Sequence, residues 1–404
     1  MNGACLCIDM TETGISVYPD QRPLEEIKAY IKLAGRYGVK YVFSSMFSVE
    51  GETQDVLDLF HALDDCTHEA GMKTILDVNH AFLKKVNASP EDLSVFSSIG
   101  ADCLRMDIPY GNEQDKVLCQ NPQGIQISFN ASFGLDHIEN LVRSGVDPKD
   151  ILMCHNFYPQ RYTGMKWKTF LETNRRLKKD GFPVCAFASS HNEPTHGVWD
   201  AKDGLCTVEM MRQEALDLQA RLLEAGGCDV VTIGNAYASE EELAALQQAV
   251  APVGDQSNNP VAAMMKKLGN SDDIVLPRAH RIRVLTDDDL CDVEKEILFD
   301  FFPHMDVGDS SEWIWRSRMP RFLYAKKNIP ARIHKGEMFM PGDVVMVNNS
   351  YAHYQGELQI VLMPIVNDGT RNHIGHIREE EMKILQVMDE RDALIFIQEK
   401  EERQ

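Results

Sequence analysis

Lys73-Thr74-Ile75-Leu76-Asp77-Val78 and, thirty residues further on, Cys103-Leu104-Arg105-Met106-Asp107-Ile108 are short β-prone runs, mostly apolar, each carrying an aspartate close to its end. A helical pattern separates them, so the pair reads as one βα unit and the strand of the next. The rhythm continues in both directions, with further runs at 14–18, 40–44, 125–130, 151–155, 184–188 and 230–234. Most of these recur at intervals of roughly 25 to 35 residues, which is the spacing of repeated βα units. Eight units close a parallel barrel, and the expected architecture is an α/β chain whose residues 13–250 form a (β/α)8 TIM barrel. A doubly wound open sheet would place a glycine-rich phosphate turn after its first strand, and Val17-Tyr18-Pro19-Asp20-Gln21-Arg22 has none.

Signals between the runs support helices. Leu24, Ile27, Ile31 and Ala34 share one helical face, and Ser89-Pro90-Glu91-Asp92 reads as an N-cap with a first-turn proline and acids. Ser239 with Glu242 makes a capping box ahead of Leu243 and Leu246. Residues 1–12 read as a short N-terminal extension. Beyond Val250 the pattern changes: Pro252, Gly254 and Gln256-Ser257-Asn258-Asn259-Pro260 mark a linker over 251–260. Runs at 281–285, 312–316, 344–348, 357–362 and 394–397 then predict a smaller, mostly β domain over 261–404.

Length and charge narrow the class. A chain of 404 residues suits one large and one smaller domain, and 44% hydrophobic with 25% charged residues is an ordinary globular composition. A formal charge of -21 argues against nucleic acid as a partner, because phosphates need clustered Lys and Arg. Any anionic ligand must therefore meet a local basic site. No apolar run approaches the roughly 20 residues that span a bilayer, and Met1 to Cys7 lacks the basic flank of a secretory signal, so a cytoplasmic protein with no membrane partner is expected. The ten cysteines, among them Cys103, Cys154, Cys185 and Cys228, lie scattered without paired spacing and read as reduced thiols; Cys5 and Cys7 lack the further ligands of a zinc site.

A barrel of this kind works at the C-terminal ends of its strands. Polar residues stand there after nearly every run: Asp20, Asp77, Asn79, Asp107, Asn130, Ser132, His155, Asn156, His191, Glu193 and Asn235. Asp107 is the first choice for an acid or base, with a buried pair to Arg105 as the structural alternative. Asp77 could equally anchor loops, and Asp20 could cap the first helix. The segment from Cys154 to Gly164 concentrates His155, Asn156, Tyr158 and Arg161, which suits a hydroxylated, anionic ligand, although His155 could be a core histidine and Arg161 a solvated charge. His80, His155, His191 and His196 show no metal-ligand spacing, so no metal and no cofactor are expected. Lys40 and Lys73 stand at strand beginnings, which removes a Schiff-base aldolase. Carboxylate chemistry remains, with Asp107, Asp77 and Glu209 as the catalytic candidates for acetal cleavage; Glu209 could also be an exposed first-turn residue.

These segments carry a resemblance. Gly14-Ile15-Ser16-Val17-Tyr18-Pro19, Leu104 to Asp107, Asn130-Ala131-Ser132, the Cys154 to Gly164 loop and Gly204-Leu205-Cys206-Thr207-Val208-Glu209 with Arg212 resemble the MupG-type 6-phospho-N-acetylmuramidases, a bacterial family. The likeness continues through Asp309, Arg316-Ser317-x-x-x-Arg321, Gly342-Asp343 and Tyr354-x-Gly356-Glu357-Leu358-Gln359-Ile360. It implies a barrel followed by a cyclophilin-like domain, and cytoplasmic hydrolysis of the disaccharide of 6-phospho-N-acetylmuramic acid and N-acetylglucosamine in peptidoglycan recycling. Such a substrate carries a phosphate and a lactyl carboxylate. Arg161 and Arg316 are then candidates for the basic pocket, with Asn130, His155, Asn156, Tyr158 and Asn235 as further substrate contacts, while Arg316 could equally hold the domains together by pairing with Asp309. Asp20 stands where the family pattern has Glu, Cys206 where it has Pro, Asn235 where it has Asp, and Asn348-Asn349 where it reads Asp-Asn. These departures motivate an alternative, a non-catalytic phosphosugar-binding or regulatory protein. Retaining, inverting and acetamido-assisted mechanisms all remain open at this level.

Overall fold

In the computed structural model, β1 (Glu12–Ser16), β2 (Tyr41–Ser45), β3 (Lys73–Val78), β4 (Cys103–Met106), β5 (Gln126–Asn130), β6 (Ile151–Cys154), β7 (Val184–Ala188) and β8 (Val230–Ile233) pair in chain order. All eight are parallel, and β8 returns to β1 through Val230 opposite Glu12 and Ile233 opposite Ile15, closing the barrel. The structure describes residues 11–399 except 112, 133, 194, 199–201, 254–258, 260, 262–276, 335 and 390–391. Strands covered on both faces read as continuous apolar runs, which is why the repeat was visible in the sequence. Inside, Phe43, Ile75, Cys103, Leu152, Cys154, Cys185, Phe187 and Val230 form one buried cluster. The eight cysteines among the described residues are free thiols.

The helix Leu24–Arg36 buries Ile27, Tyr30, Ile31 and Ala34, as its apolar face requires. Its N-cap position is Pro23, without a side-chain cap, so Asp20 does not serve as the cap. The capping box at Ser239 is formed in both directions before the helix Glu240–Ala249. Ser89-Pro90-Glu91-Asp92 behaves differently from the expected helix start. Ser89 and Asp92 pair their backbones in a tight turn, and the helix Ser94–Ile99 begins only afterwards, with Asp92 Oδ1 accepting from the Ser94 amide at 2.9 Å.

Residues divide into two units at Ala251 and Pro252. The second unit contains β9 (Ala279–Thr286), β10 (His304–Met305), β11 (Ile314–Ser317), β12 (Met338–Phe339), β13 (Asp343–Val347), β14 (Leu358–Val361), β15 (Ile365–Val366), β16 (Arg371–His376) and β17 (Ala393–Gln398). Seven of these form a sheet in the order β10-β17-β9-β16-β13-β14-β11, and β12 pairs with β15. The sheet curls until its edges approach, with His304 Nδ1 on β10 lying 3.0 Å from Ser317 Oγ on β11. β16 was not among the expected strands, because Arg-Asn-His-Ile-Gly-His carries no apolar run. Of the expected linker, 254–258 and 260 lie outside the described residues, as do residues 1–10 of the extension with Cys5 and Cys7.

Candidate active site

Alternation along each barrel strand carries the interior from apolar to polar toward the C-terminal ends. Two residues beyond Phe43, Ile75, Cys103 and Cys154 of the buried cluster stand Ser45, Asp77, Arg105 and Asn156. The register places Ser45 beside Asp77, Asp77 beside Arg105, and Arg105 beside Ser128, across β2 to β5. Arg105 is 4% exposed and acts as the hub. Its Nη1 donates to Asp77 Oδ1 at 2.7 Å, and its Nη2 donates to Asn156 Oδ1. Asn156 Oδ1 also accepts from Asn130 Nδ2 at 2.8 Å, and Asn130 Oδ1 accepts from the Ser132 amide at 2.8 Å. One guanidinium therefore links the ends of β3 and β4 to Asn156, two residues past β6, and through Asn156 to Asn130 at the end of β5.

Burial pushes the Asp77 carboxyl up to about 6, against the opposing pull of Arg105, and the charge of Asp107 adds to the rise. Asp107 lies two residues past Arg105, is partly buried, and donates its amide to the Val78 carbonyl at 3.0 Å. Among the described residues nothing donates a hydrogen bond to its carboxylate. Tyr18, two residues past Ser16, is 1% exposed and donates its hydroxyl to the Gly234 carbonyl, tying the ends of β1 and β8; burial raises its phenol. The expected alternative of an Arg105–Asp107 pair is replaced by Arg105–Asp77, since the guanidinium faces Asp77 in register.

The loops after β6 and β7 are locked together beside this mouth. Tyr158 pairs its backbone with Cys206, and Met165 with Val208. Glu209 accepts from the Tyr162 amide at 2.7 Å, the Gly164 amide at 2.8 Å, and Arg212 Nε and Nη2 at 2.9 and 2.7 Å. Arg212, 3% exposed, spends Nη1 on the Tyr158, Asp203 and Gly204 carbonyls. The Arg212 hydrogen bonds, with the two amides, hold the Glu209 carboxyl down at about 2. Two glycines permit the approach: a Cβ on Gly164 would lie 2.7 Å from the Glu209 nitrogen, and one on Gly204 would lie 2.2 Å from Ser189 Oγ.

Several expected roles change once partners are known. Glu209, read from its position as a catalytic candidate, is ionised with both oxygens engaged and clamps the two loops together. His155 is 0% exposed, hydrogen-bonds Asn174 Oδ1 through Nε2 at 2.7 Å, and is held down at about 4 by burial, which makes it a neutral core imidazole. Asn235 is 2% exposed and spends both ends of its amide on Ser190, accepting from its nitrogen at 2.8 Å and donating to its carbonyl at 2.9 Å. Arg316 is forked by Glu357 at 2.9 and 2.7 Å and lies 3.7 Å from Asp309, all within the second unit. That pairing therefore does not join the domains. Arg161 pairs with Asp203 at 3.0 Å and keeps 55% of its side chain exposed, and Tyr158 is partly buried. Asp77, Asp107, Asn130 and Asn156 come together at the mouth. Arg105, Tyr18 and Arg212 were not among the candidates; the two-residue alternation from Asp107 back to Arg105 was the available signal for the first. Among the described residues no group of three His, Cys, Asp or Glu could hold a metal ion, and no helix is long and apolar enough to cross a membrane.

Comparison with known proteins bears on the whole chain. A family model described as 6-phospho-N-acetylmuramidase, N-terminal, matches residues 13–248, and its C-terminal counterpart matches residues 280–397. A crystal structure of an uncharacterized B. cereus protein is similar over 96% of this chain and 99% of that one, at 31% identity and a TM-score of 0.78. A conserved protein of unknown function from Enterococcus faecalis shares the fold over 96% of both chains, at 23% identity and a TM-score of 0.62. No curated protein matches the chain. With both family models matched in order on a barrel whose mouth holds two interacting carboxyls, the chain belongs to the 6-phospho-N-acetylmuramidase family of glycosidases.

Proposed function

We propose that this chain hydrolyses the disaccharide of 6-phospho-N-acetylmuramic acid and N-acetylglucosamine during cell-wall recycling, using Asp107 and Asp77 at the barrel mouth. The observation that carries the reading is the Asp107 carboxylate, which accepts no hydrogen bond from the described residues and whose charge acts on buried Asp77. Acetal cleavage needs a proton delivered to the glycosidic oxygen and negative charge near the oxocarbenium-like carbon. Two carboxyls in unlike environments divide such work, because burial raises the proton affinity of one while the other stays accessible. Asp107 is the group placed to exchange a proton with the glycosidic oxygen. Asp77, fixed by Arg105, supplies the second carboxyl, and burial lets that carboxyl hold a proton closer to neutral pH than an ordinary aspartate. Asn156, oriented by the same guanidinium, and Asn130, which donates to Asn156, serve the sugar hydroxyl or acetamido groups. Arg161, exposed on the loop after β6, is the barrel's candidate for the anionic substituents, which a chain of net charge -21 must meet locally.

Incubating the purified chain with the phosphorylated and the unphosphorylated disaccharide, and following release of N-acetylglucosamine by chromatography and mass spectrometry, tests the proposal. Release from the phosphorylated form is expected at a much higher rate. Absence of product from either overturns the substrate assignment. Asp107→Asn should lower kcat by at least about a thousandfold while the circular dichroism spectrum is kept. Normal turnover in that variant would remove Asp107 from the mechanism.

A further inference from the structure

At the end of the barrel opposite the mouth, one carboxyl group is buried and unspent. Asp64, on the helix Thr53–Glu69, is 0% exposed, and neither its Oδ1 nor its Oδ2 has a hydrogen-bond partner. The polar groups around it are paired with one another. One turn further on, His68 Nε2 lies 2.9 Å from Asp102 Oδ2, which also accepts from the Thr74 amide at 2.8 Å and from Thr74 Oγ1 at 3.5 Å. The Asp102 amide in turn donates to Thr74 Oγ1 at 3.3 Å. Thr74 is the second residue of β3 and Asp102 directly precedes β4, so the cluster joins the helix to the N-terminal ends of both strands. Gly100, at φ +93°, ends the helix Ser94–Ile99 against it: a Cβ there would lie 3.5 Å from the Asp64 Cβ and 3.4 Å from His68 Cε1.

An ionised carboxylate is costly to bury without donors, and it escapes that cost by taking up a proton. Burial accordingly pushes the Asp64 carboxyl up to about 7; Thr74 and the charges of His68 and His61 pull the other way, and the charge of Asp102 adds to the rise. These groups come from its own helix, from β3 and from the turn before β4. The helix Ser94–Ile99 carries no charged residue, and the helix Leu24–Arg36 meets Thr53–Glu69 through Cys66, which donates to the Lys28 carbonyl, and through the Lys32–Glu69 pair. Neutral, Asp64 can stay buried at modest cost. Ionised, it sets a charge against that of Asp102 where no donor meets it, and water can reach it only if the surrounding segments part.

We propose that Asp64 makes the contact between the helix Thr53–Glu69 and the Gly100–Asp102 turn a proton-gated latch, closed while the carboxyl is neutral and opening locally as it ionises. Because the folded value lies above the ordinary 3.8, the stabilisation from the bound proton is complete below 3.8 and is lost as pH rises through 7.

Amide hydrogen exchange on the full chain, read by mass spectrometry at pH 5.5 and pH 8.5 and corrected for intrinsic rates, tests this. Protection of 61–70 and 98–102 should fall at least about tenfold between the two in the wild type, and less than about twofold in Asp64→Asn, which is neutral at both. Asp64→Leu, close in volume and also uncharged, is read in the same way if the asparagine variant does not fold. Equal pH dependence in wild type and variant overturns the proposal. So does a loss of protection that His68→Gln abolishes and Asp64→Asn leaves, since the imidazole would then be the gate. Infrared difference spectra against the variant should show a protonated carboxyl band at pH 5.5 that disappears at pH 8.5; a carboxyl that ionises with no loss of protection overturns the latch. None of these readouts uses the disaccharide, so the latch and the proposed hydrolysis fail separately.

Discussion

Glu209→Gln keeps the side-chain shape and removes the charge that four donors share: two from Arg212 and the amides of Tyr162 and Gly164. These bonds hold the carboxyl at about 2 against an ordinary value of 4.5. That difference corresponds to at most ~3.4 kcal/mol in favour of the ionised folded state. The side chain is 24% exposed, so solvent screening brings the expected loss at neutral pH to about 2 kcal/mol. Because the folded value lies below the unfolded one, the stabilisation is complete above 4.5 and is lost as pH falls toward 2. The loop, not the barrel, should respond first. Amide exchange across 158–166, read by mass spectrometry at pH 7, should accelerate roughly thirtyfold in the variant. The gap should narrow as pH drops below 4.5. Turnover should suffer through KM, since the displaced loop carries Arg161. Unchanged exchange together with a thousandfold fall in kcat would refute the clamp and return Glu209 to the chemistry.

Arg105→Gln removes the positive charge that opposes burial at Asp77, so the Asp77 carboxyl should titrate above its present value of about 6, by up to about three pH units for charges some 4 Å apart, as followed by carboxyl 13C NMR. A value at or below 6 contradicts the described network. Gly204→Ala should cost at least about 2 kcal/mol by thermal melting, because φ is +80° and a Cβ would meet Ser189 Oγ at 2.2 Å, whereas Gly145→Ala, at φ +100° in open space, should cost only about 1 kcal/mol. Equal losses would assign the effect to backbone conformation alone. Burial would lower His373, yet Asp287 and Asp343 outweigh it and hold the imidazole at about 9, so its stabilisation is complete below 6.5 and disappears as pH rises through 9. His373→Gln should therefore destabilise the second unit by about 2 kcal/mol at pH 6 and by much less at pH 10, measured by denaturant unfolding; the opposite trend would refute the ion-pair assignment.

The eight barrel strands were legible because each is covered on both faces and so appears as an apolar run with a polar end. The limits of β3 and β7 are those expected, and the other strands differ from expectation by one or two residues at one or both ends. β16 was not legible. Arg371 and His373 are held by Gln359 and Asp287, and Asn372 by Glu294, so tertiary hydrogen bonds replace the apolar signal there. The turn at Ser89 shows the same limit locally, since a sequence that can start a helix also makes a tight turn when Asp92 caps the next segment.

The candidate site divides along a similar line. Position at a strand end was enough to place Asp77, Asp107, Asn130 and Asn156 at the mouth, because alternation alone aims them there. It could not separate them from His155, Glu209 and Asn235, which have equally suitable chemistry. His155 is one residue out of phase with the interior face of β6 and meets Asn174 of the following helix. Glu209 meets the amides of a loop 45 residues earlier, and Asn235 the backbone of Ser190. What the sequence determined by itself was the repeat, and with it the barrel and the end at which polar groups collect. Which of those groups stay unspent was decided only by tertiary contacts, because a polar side chain's availability depends on whether distant backbone and charged partners reach it first.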